Sequence, residues 1–384
     1  MKLCSRQQDD IDCVLYTHHR DLPAEWDALL PPGHALTSDQ LALTEASSLP
    51  DISFLYGIVT HKGLAIAAAG FQLLRVRPGH INPGMVKRWQ TRAWTLFTRA
   101  ACPQLLVAGH LFRHDTRFFY YAPDITTYLA YQCFYTATQR ALQNSSAGAV
   151  LVKDMPVELV DHFQNHAPQF LLLRNDISME MTLPAEWELM QDYEKALKHK
   201  YAQRLRKIRK LWQDLTVKEL SEADVAAQKD DLYRLYSQVV QHQQVRLGVL
   251  SPQFIVRLKQ FYKERLKIWA VYDGQEMIAF FSGWVKEEAF DMFYIGFDYA
   301  RNSELQLYFN ILFFSVEQAI LLRKPKLILG RTALDAKARL GCEPQYLRTF
   351  LYIRNPLIRR FVVRKQQGVS LKEGDWEEKH PFKG

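Results

Sequence analysis

FDMFYIGFDYARNSELQLYFNILFFSVEQAILLRKPKLILGRTALDAKARLGCEP, residues 290–344, is the stretch whose reading decides the fold. Its first ten residues are aromatic with a period of two, which predicts a strand over 290–299, closed by the turn-like Ala300-Arg301-Asn302-Ser303. A long apolar segment follows over 305–322. It carries Gln306, Asn310, Glu317 and Gln318, so it reads as a buried helix rather than a membrane span. A short apolar strand over 326–329 then runs into Gly330-Arg331-Thr332, a tight turn with a guanidinium and a hydroxyl. Strand, helix, strand with a polar turn at the strand's C-terminal end is where α/β folds build sites.

Working outward, the stretch before it pairs with itself: residues 268–272, a turn at Asp273-Gly274-Gln275, and 276–286 predict a β-hairpin. The first half holds a matching hairpin over 54–60 and 64–74, turned at His61-Lys62-Gly63, and its Leu64-Ala65-Ile66-Ala67-Ala68-Ala69-Gly70-Phe71 arm reads as a strand buried on both faces. Tyr56-Gly57-Ile58-Val59 with Gly63 to Ala68 lines up with Trp269-Ala270-Val271-Tyr272 and Gly274 to Ala279, so the chain reads as a structural duplication. The first half continues with a Gly-, Pro- and Arg-rich loop over 75–92, strands over 105–108, 149–153 and 169–173, and helices over 126–142 and 157–165. The second closes on a strand over 349–353. These readings place an N-terminal domain at 1–183, a C-terminal domain at 184–363 and a polar, loosely held tail at 364–384.

At the junction, Leu197, Tyr201, Leu205, Ile208 and Trp212 make an apolar helical stripe. Between Glu194 and Lys210 there are eight basic residues and one acidic one, an imbalance that suits an anionic partner better than a merely solvated face. The whole chain carries +8 from 49 Lys and Arg against 41 Asp and Glu, which fits a phosphate-bearing ligand, an acidic carrier protein, a nucleic acid or an anionic membrane.

A length of 384 residues implies about two domains, and 48% hydrophobic with 23% charged residues is a soluble globular composition, neither disordered nor fibrous. Five cysteines with no CxxC spacing support neither a disulfide framework nor a zinc ribbon, and a reducing cytoplasm is the expectation. No apolar h-region follows Met1, so no signal peptide is expected. His110 and His114 are four apart beside Asp115, the spacing of a helical zinc pair. They fall at a strand end and loop, so no metal is expected, and Cys342 reads as a small buried thiol.

The second half resembles an acyltransferase of the GNAT superfamily, and nearly the whole chain resembles the tandem GNAT arrangement of FemAB-like aminoacyl transferases. The resemblance rests on Asp192-Tyr193 with Lys200-Tyr201 and Arg204-Leu205-Arg206-Lys207, on Ile295-Gly296-Phe297-Asp298-Tyr299 followed by a helix with Tyr308, and on Gly330-Arg331-Thr332-Ala333-Leu334 with Lys337 and Leu340-Gly341. It implies an α/β (α+β) fold of two GNAT-like domains, each a mixed, mostly antiparallel sheet flanked by helices. It also implies transfer of an acyl or aminoacyl group to an amine, with the carrier left open between acyl-CoA, acyl-carrier protein and aminoacyl-tRNA. The sequence departs from the pattern at one point. GNAT enzymes cradle a pyrophosphate on a Gly-rich turn at a helix N-terminus, and the equivalent residues 298–307 contain no glycine. Ordinary acetyl-CoA use therefore does not follow from the resemblance.

The residues that fit such chemistry are a carboxylate base, Asp298 or Glu304, and Tyr308 as the acid for the leaving group. Arg331, Thr332, Lys337 and Tyr294 would bind the donor or substrate, and Lys198, Lys200, Arg204, Arg206 and Lys207 would meet the carrier. No bound cofactor and no DNA is expected, and contact with the inner face of an anionic membrane fits the basic helix. Two other readings share these residues: aminoacyl-tRNA-dependent ligation in cell-wall precursor synthesis, and a non-catalytic GNAT pair serving as a scaffold.

Overall fold

The computed structural model describes residues 10–47, 49–82, 84, 88, 92, 95, 96, 98, 102–113, 117–173, 176–243, 246, 248–368 and 379–383. They form two α/β units, each built on one mixed, mostly antiparallel sheet.

The first sheet contains β1 (Ile11–Tyr16), β2 (Ile52–His61), β3 (Leu64–Arg75), β4 (Gln104–Ala108), β5 (Phe119–Tyr121), β6 (Ala147–Val152), β7 (Leu171–Leu173) and, from far along the chain, β15 (Thr349–Ile353). The second contains β8 (Ile177–Thr182), β9 (Thr216–Glu219), β10 (Leu266–Asp273), β11 (Glu276–Val285), β12 (Ala289–Phe297), β13 (Lys326–Gly330) and β14 (Glu343–Tyr346). The first runs in the order β1-β2-β3-β4-β6-β15-β7, with β5 also on β3. The second, read from its other edge, runs β9-β10-β11-β12-β13-β8-β14. Position by position the pairings agree: antiparallel throughout except the fourth pair, β4 with β6 and β12 with β13, which is parallel. Both hairpins also carry a bulge near the turn, at Val59/Thr60 and at Val271/Tyr272. The duplication seen in the hairpin sequences thus extends over whole sheets.

The sixth strand of each sheet comes from the other half of the chain. β15 pairs with β6 and β7 in the first sheet, and β8 pairs with β13 and β14 in the second. The compact units follow this exchange: residues 1–174, 244–251 and 347–370 form one, and 175–243, 252–346 and 371–384 the other. The sequence boundaries at 183 and 363 leave β8 with the first half and β15 with the second. Hydrophobic period identifies a short strand but says nothing about which sheet completes itself with it.

The core of the second unit is one continuous cluster. Phe281, Phe290, Leu307, Ile311, Leu312 and Val316 are fully buried in it, and the Leu307–Leu321 helix lies on one face of the sheet. On the other face, the Lys229–Gln241 helix packs against Gly296 of β12. A Cβ there would sit 2.5 Å from the Tyr236 amide nitrogen and 2.6 Å from the Leu235 carbonyl carbon. The end of the polar tail is held rather than loose: Phe382 packs on Trp187 and Tyr193 in the space a side chain at Gly341 would fill. Among the described residues no helix is long and apolar enough to cross a membrane.

The apolar segment is broken where the sequence reads as continuous. Tyr299–Leu305, expected to begin as a turn, is a short helix, and the long helix starts at Leu307. Gln306 between them is left-handed, with φ of +47°. Local polar side chains stabilise this uncommon conformation. Asp298 accepts from the Ala300 amide at 2.9 Å, Asn302 accepts from the Tyr308 amide at 3.0 Å, and Asn310 donates to the Leu305 and Ile208 carbonyls.

Candidate active site

The parallel strand pairs of the two sheets differ at their C-terminal ends. In the first sheet β4 and β6 stay paired from Gln104 to Ala108, and the Lys153 amide continues the ladder onto Ala108. In the second, β12 and β13 pair only at Ala289–Lys326, Phe290–Leu327 and Asp291–Ile328, after which β12 runs on to Phe297 alone on that side. A bulge in β12 lies just past the last pair. Phe293 and Tyr294 of β12 together face only Ser282 of β11, and a bulge bends the strand that carries the extra residue. Ser282, fully buried, holds the bulge by donating to the Tyr294 carbonyl at 2.8 Å and accepting from the Tyr294 amide at 3.0 Å.

Lys337, on the short Leu334–Ala338 helix after β13, is 3% exposed, and no carboxylate pairs with it among the described residues. Burial lowers its pKa from 10.5 to about 8, with the neighbouring Cys342 acting weakly the other way. Cys342 is buried and its thiol is pushed up to about 12, so it is neither thiolate nor nucleophile. The same thiol acts on Tyr308 and Tyr193. Lys337, Tyr308 and Tyr193 are thus each within electrostatic reach of the Cys342 thiol; Tyr308 is half-buried, and Lys337, Tyr193 and Cys342 are buried. Burial holds the Tyr308 phenol well above its usual range, and the Tyr193 hydroxyl is fixed on the Leu340 carbonyl at 2.9 Å.

Of the sequence candidates, Tyr308 and Lys337 each lie within electrostatic reach of Cys342. Asp298 is half-buried at the end of β12 and caps the next short helix, while Glu304 is exposed on that helix. Arg331 is paired instead with Asp176, just before β8: its Nη1 donates to both carboxylate oxygens, at 3.0 and 2.8 Å. Thr332 beside it is exposed. Tyr294 turns to the other face of the sheet, against Tyr236 and Phe254. The basic helix is His199–Lys210, with Ala202, Leu205 and Ile208 buried. Arg206 pairs with Glu194, whereas Lys198, Lys200 and Lys207 are exposed, and Arg204 is half-buried over the Phe309 ring at 4.7 Å. His110 is buried in the first unit, while His114 and Asp115 lie outside the described residues. Sequence reasoning missed Arg339, which acts electrostatically on Arg204. Its only sequence signal is its place two residues after Lys337.

No family model and no curated protein matches the chain in sequence. Solved structures do match it in fold. A crystal structure of FemX superposes with a TM-score of 0.50 at 9% identity, covering 91% of this chain and 99% of that one. A tandem GNAT protein from the clavulanic acid biosynthesis pathway gives 0.51 at 8% identity, over 90% of this chain and 99% of that one. The fold is a tandem GNAT, FemAB-like fold. A GCN5-related N-acetyltransferase from Kribbella flavida also matches, with a TM-score of 0.46 at 11% identity over 90% of this chain and 71% of that one.

In the glycine-free segment 298–307 the chain forms the Tyr299–Leu305 helix, and the amides of Tyr299, Ala300 and Tyr308 are held by the Gln238, Asp298 and Asn302 side chains. These three amides are therefore not free to meet an anion.

Proposed function

We propose that the protein transfers an acyl or aminoacyl group from an activated carrier to an amine, at the opening between β12 and β13. The observation that carries this reading is Lys337, a buried amine without a carboxylate partner among the described residues, on the helix that follows β13, the strand that parts from β12. A buried unpaired ammonium is costly, so its retention calls for an anion that arrives with the reaction.

In such a transfer the C–N bond forms, the C–O or C–S bond to the carrier breaks, and negative charge develops on the acyl oxygen. Lys337, mostly protonated at neutral pH, holds that charge. Tyr308, kept protonated by burial, donates to the leaving oxygen or sulfur, and Asp298 at the edge of the opening takes the proton that the attacking amine loses. Acyl-CoA, acyl-carrier protein and aminoacyl-tRNA all supply the required leaving group.

The test is to mix the protein with each donor class and an amine, and to follow release of thiol or deacylated RNA. Turnover with at least one donor, lost in Lys337→Met, is the expected outcome. No turnover with any donor leaves the scaffold reading in its place.

A further inference from the structure

The Pro356–Gly368 helix follows β15 and belongs to the first unit. Its inner side, Ile358 and Val362 one turn apart, packs on the core around Val107 and Ile353. Its outer side is Leu357, Arg360, Phe361 and Arg364, spaced i, i+3, i+4 and i+7, so all four share one face. Leu357 is 77% exposed, more than any other large hydrophobic among the described residues, and Phe361 is 63% exposed. Side chains that line a groove are covered on two flanks, so these two project from the surface instead. Arg360 and Arg364 are exposed beside them, and neither has an anionic partner among the described residues. The neighbouring Arg354 and Arg359 are used inside the unit. Arg354 donates to the Leu142 carbonyl at 2.7 Å, and Arg359 to the Ile353 carbonyl at 3.4 Å. From Arg354 to Lys372 the sequence holds six basic residues and no acidic one. The His199–Lys210 helix is built the other way. Its apolar stripe is buried, and Arg206 and Arg209 are tied to Glu194 at 3.2 Å and Glu317 at 2.9 Å, with Lys200 and Lys207 exposed on the other flank.

We propose that this outer face docks on an anionic lipid bilayer, with Leu357 and Phe361 inserted at the boundary of headgroups and acyl chains and Arg360 and Arg364 on the lipid phosphates. The inference is independent of acyl transfer, and it places membrane contact on a different element from the basic helix. A bilayer surface is apolar below and anionic above. An arginine can lay its stem along the apolar layer and keep its guanidinium at the phosphates, so cations interleaved with projecting apolar side chains suit it. A second copy of this chain suits the face less well, because a two-fold contact would set Arg360 and Arg364 against their own counterparts. Two inserted side chains and a few cations give reversible attachment rather than a fixed anchor.

The experiment measures flotation of the full chain with vesicles of phosphatidylcholine alone and of phosphatidylcholine with about one third phosphatidylglycerol, over a range of salt. Binding to the anionic vesicles that weakens with salt, and little binding to the neutral ones, is the expected result. Leu357→Gln and Phe361→Gln should each weaken it by about tenfold, and Arg360→Gln and Arg364→Gln by about fivefold each. Val157→Gln removes a side chain of the first unit that is 75% exposed on another helix, and it should change nothing. No binding to the anionic vesicles overturns the proposal and leaves the face to a protein partner. An equal loss in Val157→Gln, or a loss confined to Lys200→Gln and Lys207→Gln, overturns it as well. So does a dimer in lipid-free solution that Phe361→Gln dissociates, which makes a second copy the occupant. The substituted side chains are exposed, so the variants should melt as wild type does. If one melts lower, Arg360→Lys and Arg364→Lys decide the matter: they keep the charge and should keep vesicle binding, and a loss equal to that of the Gln variants refutes the lipid contact.

Discussion

Replacing Lys337 by Met is expected to make the protein more stable and inactive at once. The amine is 3% exposed, and its pKa falls from 10.5 in the unfolded chain to about 8 in the folded one. Below pH 8 the group is charged in both states, and the folded state bears the full cost of holding that charge out of water. Between pH 8 and 10.5 the unfolded chain binds more protons than the folded one, so stability rises with pH and the cost disappears. A difference of about 2.5 pKa units corresponds to on the order of 3 kcal/mol. Met keeps most of the chain's volume and has no charge to desolvate. The gain of Lys337→Met over wild type should therefore be largest near pH 7, decline above pH 8 and be nearly gone by pH 10.5. Urea unfolding of both proteins across that range measures it, and taking the difference cancels groups common to both. A loss of stability at pH 7 that persists unchanged at pH 10 would refute the reasoning. It would mean that the ammonium is satisfied where it lies.

Other predictions follow from single contacts. Tyr308→Phe should lower turnover by about a hundredfold with little change in melting temperature, as expected for loss of a proton donor, and kinetics with the best donor checks it. Arg331→Gln and Asp176→Asn should each destabilise by about 1–2 kcal/mol and fail to add in the double variant, because they remove the same ion pair; a double-mutant cycle by denaturant unfolding measures this. Gly296→Ala should cost about 3 kcal/mol or more, since its Cβ meets the backbone of the Lys229–Gln241 helix, and a normal melting curve would count against the packing described.

The local plan of the chain was legible because local patterns encode it. The aromatic alternation of 290–299, the two Gly-containing hairpins and the apolar 305–322 segment led to β12, to the paired hairpins and to the buried helix. Long-range partners were not legible. Arg331 finds Asp176 at a separation of 155 residues and Tyr193 finds Leu340 at 147, and no period in the sequence reports either. The exchange of β8 and β15 was hidden for the same reason. The break at Gln306 escaped because its compensation lies in Asn302 and Asn310, side chains that as readily read as turn and helix surface. The basic helix was visible as a count of charges, but its division into paired and unpaired flanks needed the positions of Glu194 and Glu317.

Whether the contrast between the two parallel strand pairs turns on one hydroxyl can be tested against a control within the same unit. Ser282 and Ser315 are both fully buried serines. Ser315 donates to the Ile311 carbonyl one turn back in its own helix, a carbonyl the helix already uses. Ser282 instead holds both the amide and the carbonyl of Tyr294 across the bulge just past the last pair of β12 with β13. Ser315→Ala should therefore cost well under about 1 kcal/mol, whereas Ser282→Ala withdraws a partner from two backbone groups and should cost about 1–3 kcal/mol. If the bulge keeps the opening apart, Ser282→Ala should also lose transfer activity beyond what its melting temperature explains, and Ser315→Ala should not. Equal behaviour of the two variants in both measurements would detach the bulge from the opening, and the parting of β12 from β13 would then need a cause outside β11.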